Sequence, residues 1–330
     1  MFTLDKVTAM EAARARFEAL VRGADLDLVG DPELVTSYSN DAWYVRSASA
    51  GEAVLRVCWI GDRERLLREA AVGQRLPPEV GYPTVLASGS LTLAEEPLTW
   101  MLSRRLEGTT LRAAWPELDP GQRERALADV ARPLRALHAW RPPAEVAALL
   151  GPPPPSDDPS TIIGRSILPL PLYRVRHLVR PAADRAGDHR AVVEDSWGWL
   201  VDHADLLPRL DDPADVITHG DLHLDNVWWD GRRVTGLLDL EWVRWAPAWT
   251  DLVPARDNAL ACDEGSPAHA QLLASLVSEL PQLRVPQLER RLTAVELAFQ
   301  LRQLLVWPAP GARPAVDHPI ELLRRLLATA

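Results

Sequence analysis

The first hundred residues alternate between short strand-like runs and two helical patterns. Apolar positions at helical spacing predict helices over residues 9–21 and from Asp62 to about Leu76. Runs rich in β-branched, aliphatic and aromatic residues predict five strands, at residues 34–38, 43–45, 53–59, 84–86 and 98–102. One helix inserted after the third of five sequential strands is typical of an antiparallel sheet with a packed helix, and therefore predicts a small α+β lobe.

From Pro120 onward the apolar positions change to helical spacing. The first helix has one apolar face, formed by Leu127, Val130, Leu134 and Leu137. Pro133 predicts a kink in this helix or a later start. Residues 141–171 are rich in proline and predict a loop, because polyproline cannot join a helix or a central strand. Further helices are predicted through Trp197 and Leu206, and over residues 285–306.

Length and composition favour two lobes. The chain has 330 residues, 47% hydrophobic and 25% charged, whereas one hydrophobic core rarely grows beyond about 250–300 residues. The break near Gly108 divides the chain into an N-terminal lobe of residues 1–105 and a mainly helical C-terminal lobe of residues 106–330. The two cysteines, Cys58 and Cys262, have no metal-ligand spacing and indicate a reduced compartment.

Charge and hydropathy restrict the partners. The net charge of −10 disfavours a nucleic-acid backbone as a partner. No signal peptide is recognisable, and no apolar stretch approaches the roughly 18–20 residues that a membrane span needs. We therefore expect a cytoplasmic protein, either a monomer or a homodimer. Residues 184–215 carry nine acidic residues and three arginines, so this segment is either a solvated acidic surface or part of a pocket for a cationic substrate.

Residues 217–241 contain the most informative pattern. Asp221 follows an apolar run and a His-Gly pair, Asn226 comes five residues later, and Asp239 ends a second apolar run. We expect each of the three at the end of a strand. A carboxylate in a tight loop can take the proton of an attacking hydroxyl, and amide and carboxylate oxygens are ligands that Mg²⁺ accepts. The spacing predicts phosphoryl transfer, with Asp221 as the base and Asn226 and Asp239 as magnesium ligands.

A zinc hydrolase is the alternative interpretation of the same residues. His219, Asp221 and His223 alternate along the chain and could ligate zinc. The other six histidines have no obvious ligand spacing, and a zinc site would leave Asn226 and Asp239 without a role.

The stretch 219–226, followed by 237–241 and Asp251, resembles the aminoglycoside phosphotransferase family, to which choline kinases are related. The resemblance implies a protein-kinase-like fold with a nucleotide cleft between a five-stranded lobe and a helical lobe. In that family a basic residue on the third strand holds the nucleotide phosphates and pairs with a helix glutamate. Lys6 is the only lysine, so the resemblance assigns these roles to Arg56 and Glu69.

The resemblance also assigns the remaining nucleotide contacts. Residues 100–108 resemble the hinge, where backbone groups of Arg104 and Leu106 would hold the adenine. No glycine lies between Asp31 and Ala50, so Ser39 and Asn40 stand where a protein kinase has its glycine-rich loop. There is no Ala-Pro-Glu segment either, which favours a small-molecule kinase over a protein kinase.

We therefore expect an ATP- or GTP-dependent O-phosphotransferase that uses Mg²⁺. The favoured acceptor is an aminoglycoside or a similar amino sugar. Acidic residues near the cleft could bind its ammonium groups, with Asp195, Glu241 and Asp257 as candidates. The alternatives are a metabolic kinase for a sugar, a choline-like compound or an amino alcohol, and a catalytically silent binding protein with the same fold.

Overall fold

A computed structural model describes residues 6–35, 40–59, 61–151, 170–207, 216–261 and 264–329. Its N-terminal part is a five-stranded antiparallel sheet with the strand order β1-β2-β3-β5-β4. The strands are β1 (Leu28–Val35), β2 (Asp41–Ser47), β3 (Gly51–Cys58), β4 (Val85–Leu93) and β5 (Glu96–Arg104). Helix α1 (Lys6–Gly23) precedes the sheet, and α2 (Arg65–Gly73) follows its third strand. The predicted α+β lobe is confirmed.

Alternation along β3 separates the core from the functional face. Leu55 and Val57 are fully buried and pack with Phe17 and Leu20 of α1, since alternate side chains of a strand point to opposite faces. Arg56 lies on the other face, where its guanidinium group meets Glu69 of α2. The alternation of side chains along β3 therefore places Leu55 and Val57 in the apolar core of this lobe and Arg56 on the opposite face of the sheet.

Helix α2 begins later than the sequence predicted. Its N-cap residue is Glu64, not Asp62. Asp62 instead accepts a hydrogen bond from the Glu64 N–H (3.2 Å) and pairs with Arg68 (2.6 Å). The local turn around Asp62 delays the helix by two residues.

The rest of the described chain is mainly helical. Its helices are α3 (Leu111–Ala114), α4 (Pro120–Ala139), α5 (Ala144–Leu149), α6 (Leu172–Ala186), α7 (Arg190–Asp202), α8 (Leu252–Leu260), α9 (Ser266–Glu279), α10 (Leu288–Gln303) and α11 (Pro319–Thr329). Five short strands accompany them: β6 (Thr109–Thr110), β7 (Val216–Thr218), β8 (Val227–Trp229), β9 (Val234–Leu237) and β10 (Arg244–Ala246). No described helix combines the length and the apolar character needed to cross a membrane.

Helix α4 is the centre of the larger core. The four residues predicted to share its apolar face are all nearly or fully buried. Asp119 and Gln122 form a capping box at its start, and the helix continues through Pro133 without a delayed start. An internal proline costs about 3 kcal/mol, but burial of Leu134 and Leu137 beyond it offsets that cost.

Two other sequence expectations need correction. The predicted loop at residues 141–171 contains the short helix α5, and its residues 152–169 lie outside the described part of the chain. Leu206 does not belong to α7, but to a separate 3₁₀ turn, Ala204–Leu206. Helix α7 ends at Asp202, and the N–H of its C-cap residue His203 donates to the Trp199 carbonyl oxygen.

The two lobes meet through direct backbone contact. Gly81 follows a 3₁₀ turn of the first lobe, and Gly236 lies on β9. A Cβ atom on Gly81 would lie 1.8 Å from the Thr235 carbonyl oxygen, and one on Gly236 would lie 2.0 Å from that of Gly81. Only glycine permits this approach, which brings α2 close to the loop that follows β9.

Candidate active site

The loop that follows β7 is shaped by a buried carboxylate. Asp251 is fully buried and accepts hydrogen bonds from the backbone N–H groups of His219 (3.1 Å) and Gly220 (2.9 Å). His138 of α4 contacts the same carboxylate through Nε2 (2.9 Å). Burial would raise the pKa of Asp251, but the bond with His138 and its charge outweigh burial and lower it. This anionic anchor fixes the two residues that precede Asp221.

Gly220 turns the loop towards the cleft. Its φ is +81°, and a Cβ atom there would lie 2.3 Å from the carbonyl oxygen of Trp242. A side chain would therefore be both strained and too close to the neighbouring loop. The glycine allows the chain to reverse directly after β7, so that Asp221 lies at the tip.

Asp221 is an accessible and ionised carboxylate. About one third of its side chain is exposed (34%). Asn226 Nδ2 donates to the Asp221 carbonyl oxygen (2.8 Å) and lies 3.4 Å from its Oδ2. Burial raises the pKa of Asp221, but His223 and Asn226 outweigh this and lower it. The carboxylate is thus available as an acceptor for a hydroxyl proton.

The geometry does not fit the zinc alternative. Burial lowers the pKa of His223, but Asp221 and Asp225 on either side of its ring raise it to about 10, so the ring is cationic at neutral pH. A zinc ligand must be a neutral imidazole. Among the described residues, the only cluster of three potential ligands with the necessary proximity is Glu69, Asp239 and Glu241. His219 is fully buried, and its Nδ1 accepts the Asp221 N–H (3.3 Å).

Asn226 and Asp239 lie at the two sides of one hairpin. Strands β8 and β9 pair Val227 with Leu237, and the Leu238 N–H donates to the Asn226 carbonyl oxygen (2.8 Å). Asn226 therefore precedes a strand, within the 3₁₀ turn Leu224–Asn226, and the expectation that it ends a strand is wrong. The antiparallel pairing still brings the two predicted metal ligands to the same end of the hairpin.

The oxygens of this pair fit a magnesium ion. The Asn226 Nδ2 is engaged with the Asp221 carbonyl, which leaves its Oδ1 as the potential ligand atom. Asp239 adopts φ 59° and ψ 62°, an uncommon conformation for a non-glycine residue. Of the three carboxylates around Arg56, only that of Asp239 is substantially exposed (32%, against 0% for Glu69 and 3% for Glu241). Mg²⁺ requires hard oxygen donors, and the Asp239 carboxylate also has solvent access, whereas Asn226 is buried.

Arg56 joins the two lobes. Its Nη1 donates to both carboxylate oxygens of Glu69 (2.8 Å each), and its Nη2 donates to Asp239 Oδ1 (2.7 Å). Burial lowers the pKa of Arg56, but these carboxylates raise it well above its usual value. Glu69 also accepts from the Tyr82 hydroxyl (2.7 Å) and the Leu240 N–H (2.9 Å). The predicted cation and its helix glutamate are thus paired beside the predicted metal ligand.

Glu241 and Asn40 are buried in a network rather than open to a ligand. Glu241 Oε2 lies 2.9 Å from Arg65 Nε and 3.3 Å from Arg56 Nη2, and it accepts from Asn40 Nδ2 (3.1 Å). The predicted role of Glu241 as a substrate carboxylate does not fit this environment, because a substrate ammonium would have to displace two arginines. The Asn40 amide likewise bonds protein groups, while Ser39 lies outside the described residues.

Arg104 and Leu106, the two residues predicted to hold the adenine, differ in their backbone hydrogen bonds. The Arg104 N–H donates to the Thr84 carbonyl oxygen (2.9 Å), so this N–H is engaged within the protein. Within the described ranges, the Leu106 N–H donates to no backbone carbonyl. Of the two backbone N–H groups, that of Leu106 is therefore the better candidate for the predicted contact with the adenine.

The other two acidic candidates differ in position. Asp195 is exposed on α7, and no hydrogen bond or ion pair in the described part joins it to the Asp221 loop. Asp257 on α8 accepts from Gln300 Nε2 (2.7 Å), and burial raises its pKa to about 6, with Asp221 adding to the rise. Glu296 is fully buried, and burial together with Asp257 raises its pKa well above the usual value. Asp257 thus belongs to a buried acidic group electrostatically coupled to the loop.

The model of one protein family matches most of this chain. The model of the phosphotransferase enzyme family (APH) matches residues 33–284, well over half of the chain. The chain belongs to this family. The matched span includes Arg56, Glu69, Asp221, Asn226 and Asp239, whereas Glu296 and Gln300 on α10 lie beyond it. Membership identifies the chain as a phosphotransferase that acts on hydroxyl groups of small molecules.

Solved structures with the same fold are aminoglycoside phosphotransferases. The structure of APH(4)-Ia has 17% sequence identity and a TM-score of 0.62, covering 96% of this chain and 99% of that one. The GDP and kanamycin complex of APH(2'')-IIIa has 15% identity and a TM-score of 0.60, covering 96% and 99%. ADP-bound APH(2'')-Ib has 15% identity and a TM-score of 0.55, covering 95% and 96%. Comparison with curated proteins gave no match.

Sequence reasoning missed several residues of this phosphotransferase site. His138, Tyr82 and Arg65 support Asp251, Glu69 and Glu241, respectively, from distant parts of the chain. Residues 237–251 contain acidic residues within apolar sequence, which predicts that some of these carboxylates are buried. A buried carboxylate needs a cation or a hydrogen-bond donor, so partners from other parts of the chain could be expected. The sequence could not indicate which of its many arginines and histidines they are.

Proposed function

We propose that this phosphotransferase uses Mg²⁺ to transfer the γ-phosphoryl group of ATP or GTP to a hydroxyl group of an aminoglycoside or a similar amino sugar. The observation that carries the proposal is the Arg56 contact with both Glu69 and Asp239, next to the hairpin that joins Asp239 to the Asp221–Asn226 loop. This arrangement supports a cleft in which Arg56 would bind phosphates, Asn226 and Asp239 would hold the metal, and Asp221 would act as the base. Residues 1–105 would bind the nucleotide, and residues 106–330 would supply the catalytic loop and the acceptor pocket.

Asp221 would orient the acceptor hydroxyl and take its proton. As the hydroxyl oxygen forms its bond to the γ-phosphorus, the bond from that phosphorus to the bridging oxygen breaks and the nucleoside diphosphate leaves. The exposed, ionised carboxylate suits this role, since it can accept a hydrogen bond without first losing a proton. Asn226 holds the loop through the Asp221 carbonyl, so the base is positioned before the acceptor arrives.

Arg56, Asn226 and Asp239 would bind the nucleotide phosphates and the metal. A bound magnesium ion would supply neutralisation of phosphate charge and alignment of the leaving group. Asn226 and Asp239 would hold it through their side-chain oxygens. Arg56 would then turn part of its guanidinium group to the phosphates while Glu69 keeps two of its hydrogen bonds and so fixes its direction. Backbone groups of Leu106 and Arg104 would hold the base of the nucleotide.

Several observations bear on the chemical class of the acceptor, and they point in two directions. Kanamycin in the APH(2'')-IIIa complex and the acidic character of residues 184–215 favour an amino sugar. Glu296 points in the other direction, because burial and Asp257 raise its pKa well above the usual value and a neutral carboxyl attracts an ammonium group less strongly. A metabolic kinase for a sugar, a choline-like compound or an amino alcohol is therefore the second candidate.

Phosphate transfer by the purified protein tests both candidates. Transfer from ATP and GTP is measured with Mg²⁺ across aminoglycosides, other antibiotics, sugars and amino alcohols, with chelator as a blank. We expect transfer to at least one amino sugar, loss of transfer with chelator, and a decrease of about 10²–10⁴-fold in Asp221→Asn, the usual contribution of a general base. Asp230→Asn is the matched control, since Asp230 is an exposed carboxylate in the turn of the same hairpin.

The outcomes separate the alternatives. Transfer to sugars or amino alcohols alone would favour the metabolic kinase. Nucleotide binding without transfer to any acceptor would favour a silent binding protein. An Asp221→Asn variant that transfers phosphate as fast as the native protein would show that the catalytic assignment is wrong.

A further inference from the structure

Arg65 is a buried cation that the proposed reaction does not use directly. It lies at the start of α2, one helical turn before Glu69, so both side chains are on the same face of the helix. Only 3% of Arg65 is exposed. A buried guanidinium group is costly unless it is paired, which makes its partners informative.

The partners of Arg65 come from two other parts of the fold. Arg65 Nε lies 2.9 Å from Glu241 Oε2, and Arg65 Nη2 donates to Asn40 Oδ1 (3.0 Å). Asn40 Nδ2 donates in turn to Glu241 Oε2 (3.1 Å). The three side chains form a closed triangle in which each contacts the other two. The triangle joins α2, the residue before β2 and the 3₁₀ turn directly after Asp239.

The triangle touches the phosphate-binding arginine at one atom. Glu241 Oε2 lies 3.3 Å from Arg56 Nη2, the same nitrogen that lies 2.7 Å from Asp239 Oδ1. Arg56 Nη2 therefore donates to both Asp239 and Glu241. Glu241 Oε2 lies closer to Arg65 Nε (2.9 Å) and to Asn40 Nδ2 (3.1 Å) than to Arg56 Nη2.

We propose that Arg65 is a positioning residue for the nucleotide, which acts through Glu241 by sharing the charge of that carboxylate with Arg56 and by fixing the loop that carries Asp239. The inference rests on the proposed function, because it takes Arg56 as the group that meets the phosphates. Without Arg65, a buried carboxylate would lose its nearest cation, and Arg56, 3.3 Å away, is another cation within reach. Glu241 would then hold Arg56 more tightly, and Arg56 would turn less readily to the phosphates.

A double-mutant cycle on the full chain tests this action. Arg65→Gln removes the nearest cation of Glu241, and Glu241→Gln removes the carboxylate 2.9 Å from Arg65 Nε, whereas the double variant leaves a neutral triangle of three amides. The probe is Mg²⁺-ADP, with the dissociation constant measured by calorimetry in the absence of any acceptor. Arg68→Gln is the matched control, because Arg68 is on the same helix and pairs with Asp62 instead (2.6 Å).

We expect Arg65→Gln to weaken Mg²⁺-ADP binding by about tenfold, the size expected when a buried ionic partner is lost near the site. The double variant should recover to within about threefold of the native protein, and Arg68→Gln should bind as the native protein does. In turnover, the KM for the nucleotide should rise in Arg65→Gln while the KM for the acceptor stays unchanged. Arg65→Lys keeps the charge but lacks a planar fork to reach Asn40 and Glu241 together, so its affinity should lie between those of the native protein and Arg65→Gln.

Several results would overturn the inference. Native affinity in Arg65→Gln would do so, and so would a double variant that binds as weakly as Arg65→Gln. If Arg65→Gln cannot be purified in folded form, Arg65→Lys and Arg65→Lys/Glu241→Gln are compared, and equal affinity of Arg65→Lys and the native protein overturns it. A native protein that binds Mg²⁺-ADP but phosphorylates no acceptor would contradict the proposed function alone. A native protein that binds no nucleotide would contradict both.

Discussion

Replacing Asp251 by asparagine should loosen the loop that carries Asp221. Asp251 is fully buried, and its two oxygens serve three donors: Oδ1 accepts from the Gly220 N–H, and Oδ2 from the His219 N–H and from His138. An asparagine has the same shape but only one acceptor oxygen. Whichever way its amide faces, at least one backbone N–H of the loop then meets an NH₂ group.

The structure gives the magnitude of this loss. One buried donor left unpaired costs about 1–3 kcal/mol, and each remaining bond weakens by roughly 0.5–1 kcal/mol when its acceptor becomes neutral. With three donors in the native site, we expect Asp251→Asn to lower the free energy of unfolding by about 2–5 kcal/mol. The reaction should slow as well, because His219 and Gly220 set the position of Asp221.

The destabilisation should also depend on pH. The pKa of Asp251 is lowered in the fold, so its ionised form contributes stability that is fully present above its unfolded pKa of about 3.9 and is lost as the pH falls through the folded value. Urea unfolding of Asp251→Asn and the native protein, at neutral pH and at successively lower pH, measures the difference. It should be largest at neutral pH and shrink as the native carboxylate becomes protonated.

Asp230→Asn is the control for this measurement. Its carboxylate is exposed in a hairpin turn, where the same substitution should change stability by less than about 0.5 kcal/mol. Equal stability of Asp251→Asn and the native protein at neutral pH would refute the argument that the buried carboxylate anchors the loop. Full stability with reduced turnover would show that Asp251 acts on the reaction by some other route.

Two further predictions concern the catalytic loop and Glu296. Gly220→Ala should abolish phosphate transfer and reduce the yield of folded protein, because a φ of +81° disfavours alanine and its Cβ would lie 2.3 Å from the Trp242 carbonyl oxygen. Activity and circular dichroism measure these effects, and a native-like variant would contradict the close approach. Glu296→Gln should become more stable relative to the native protein as the pH rises above about 4.3, because the pKa of Glu296 is raised in the folded state and its ionisation opposes folding above the unfolded value. A difference in unfolding free energy that does not grow with pH would contradict a neutral Glu296.

Local patterns in the sequence were sufficient for the architecture and drew attention to the residues that the proposed function uses. The alternation along β3 identified a strand with one cation on its polar side, and the helical spacing of α4 identified its buried face, because both depend on periodicity within one element. The spacing of Asp221, Asn226 and Asp239 was informative for a similar reason. A short loop and a tight hairpin leave few ways to arrange residues so close in sequence.

The local patterns were less informative where the packing of other elements decides the outcome. Pro133 predicted a kink or a delayed start, and α4 begins at Pro120, so its start is not delayed and the helix continues through the proline. Asn226 was expected at the end of a strand, but it lies in a turn before one. Apolar residues on both sides of Asn226 support either arrangement, and only the pairing of β8 with β9 selects one of them.

By itself, the sequence determined the two-lobe fold and the reaction class of this phosphotransferase. Only the tertiary structure decided which charges meet. His138 and Asp251 are separated by 113 positions, and Asn40 and Glu241 by 201, so no local pattern relates them. The same is true of Glu241, which the sequence offered as a substrate carboxylate and the fold buries against two arginines. Burial decides whether a charged side chain can face a ligand or must be paired within the protein, and burial depends on the packing of distant elements.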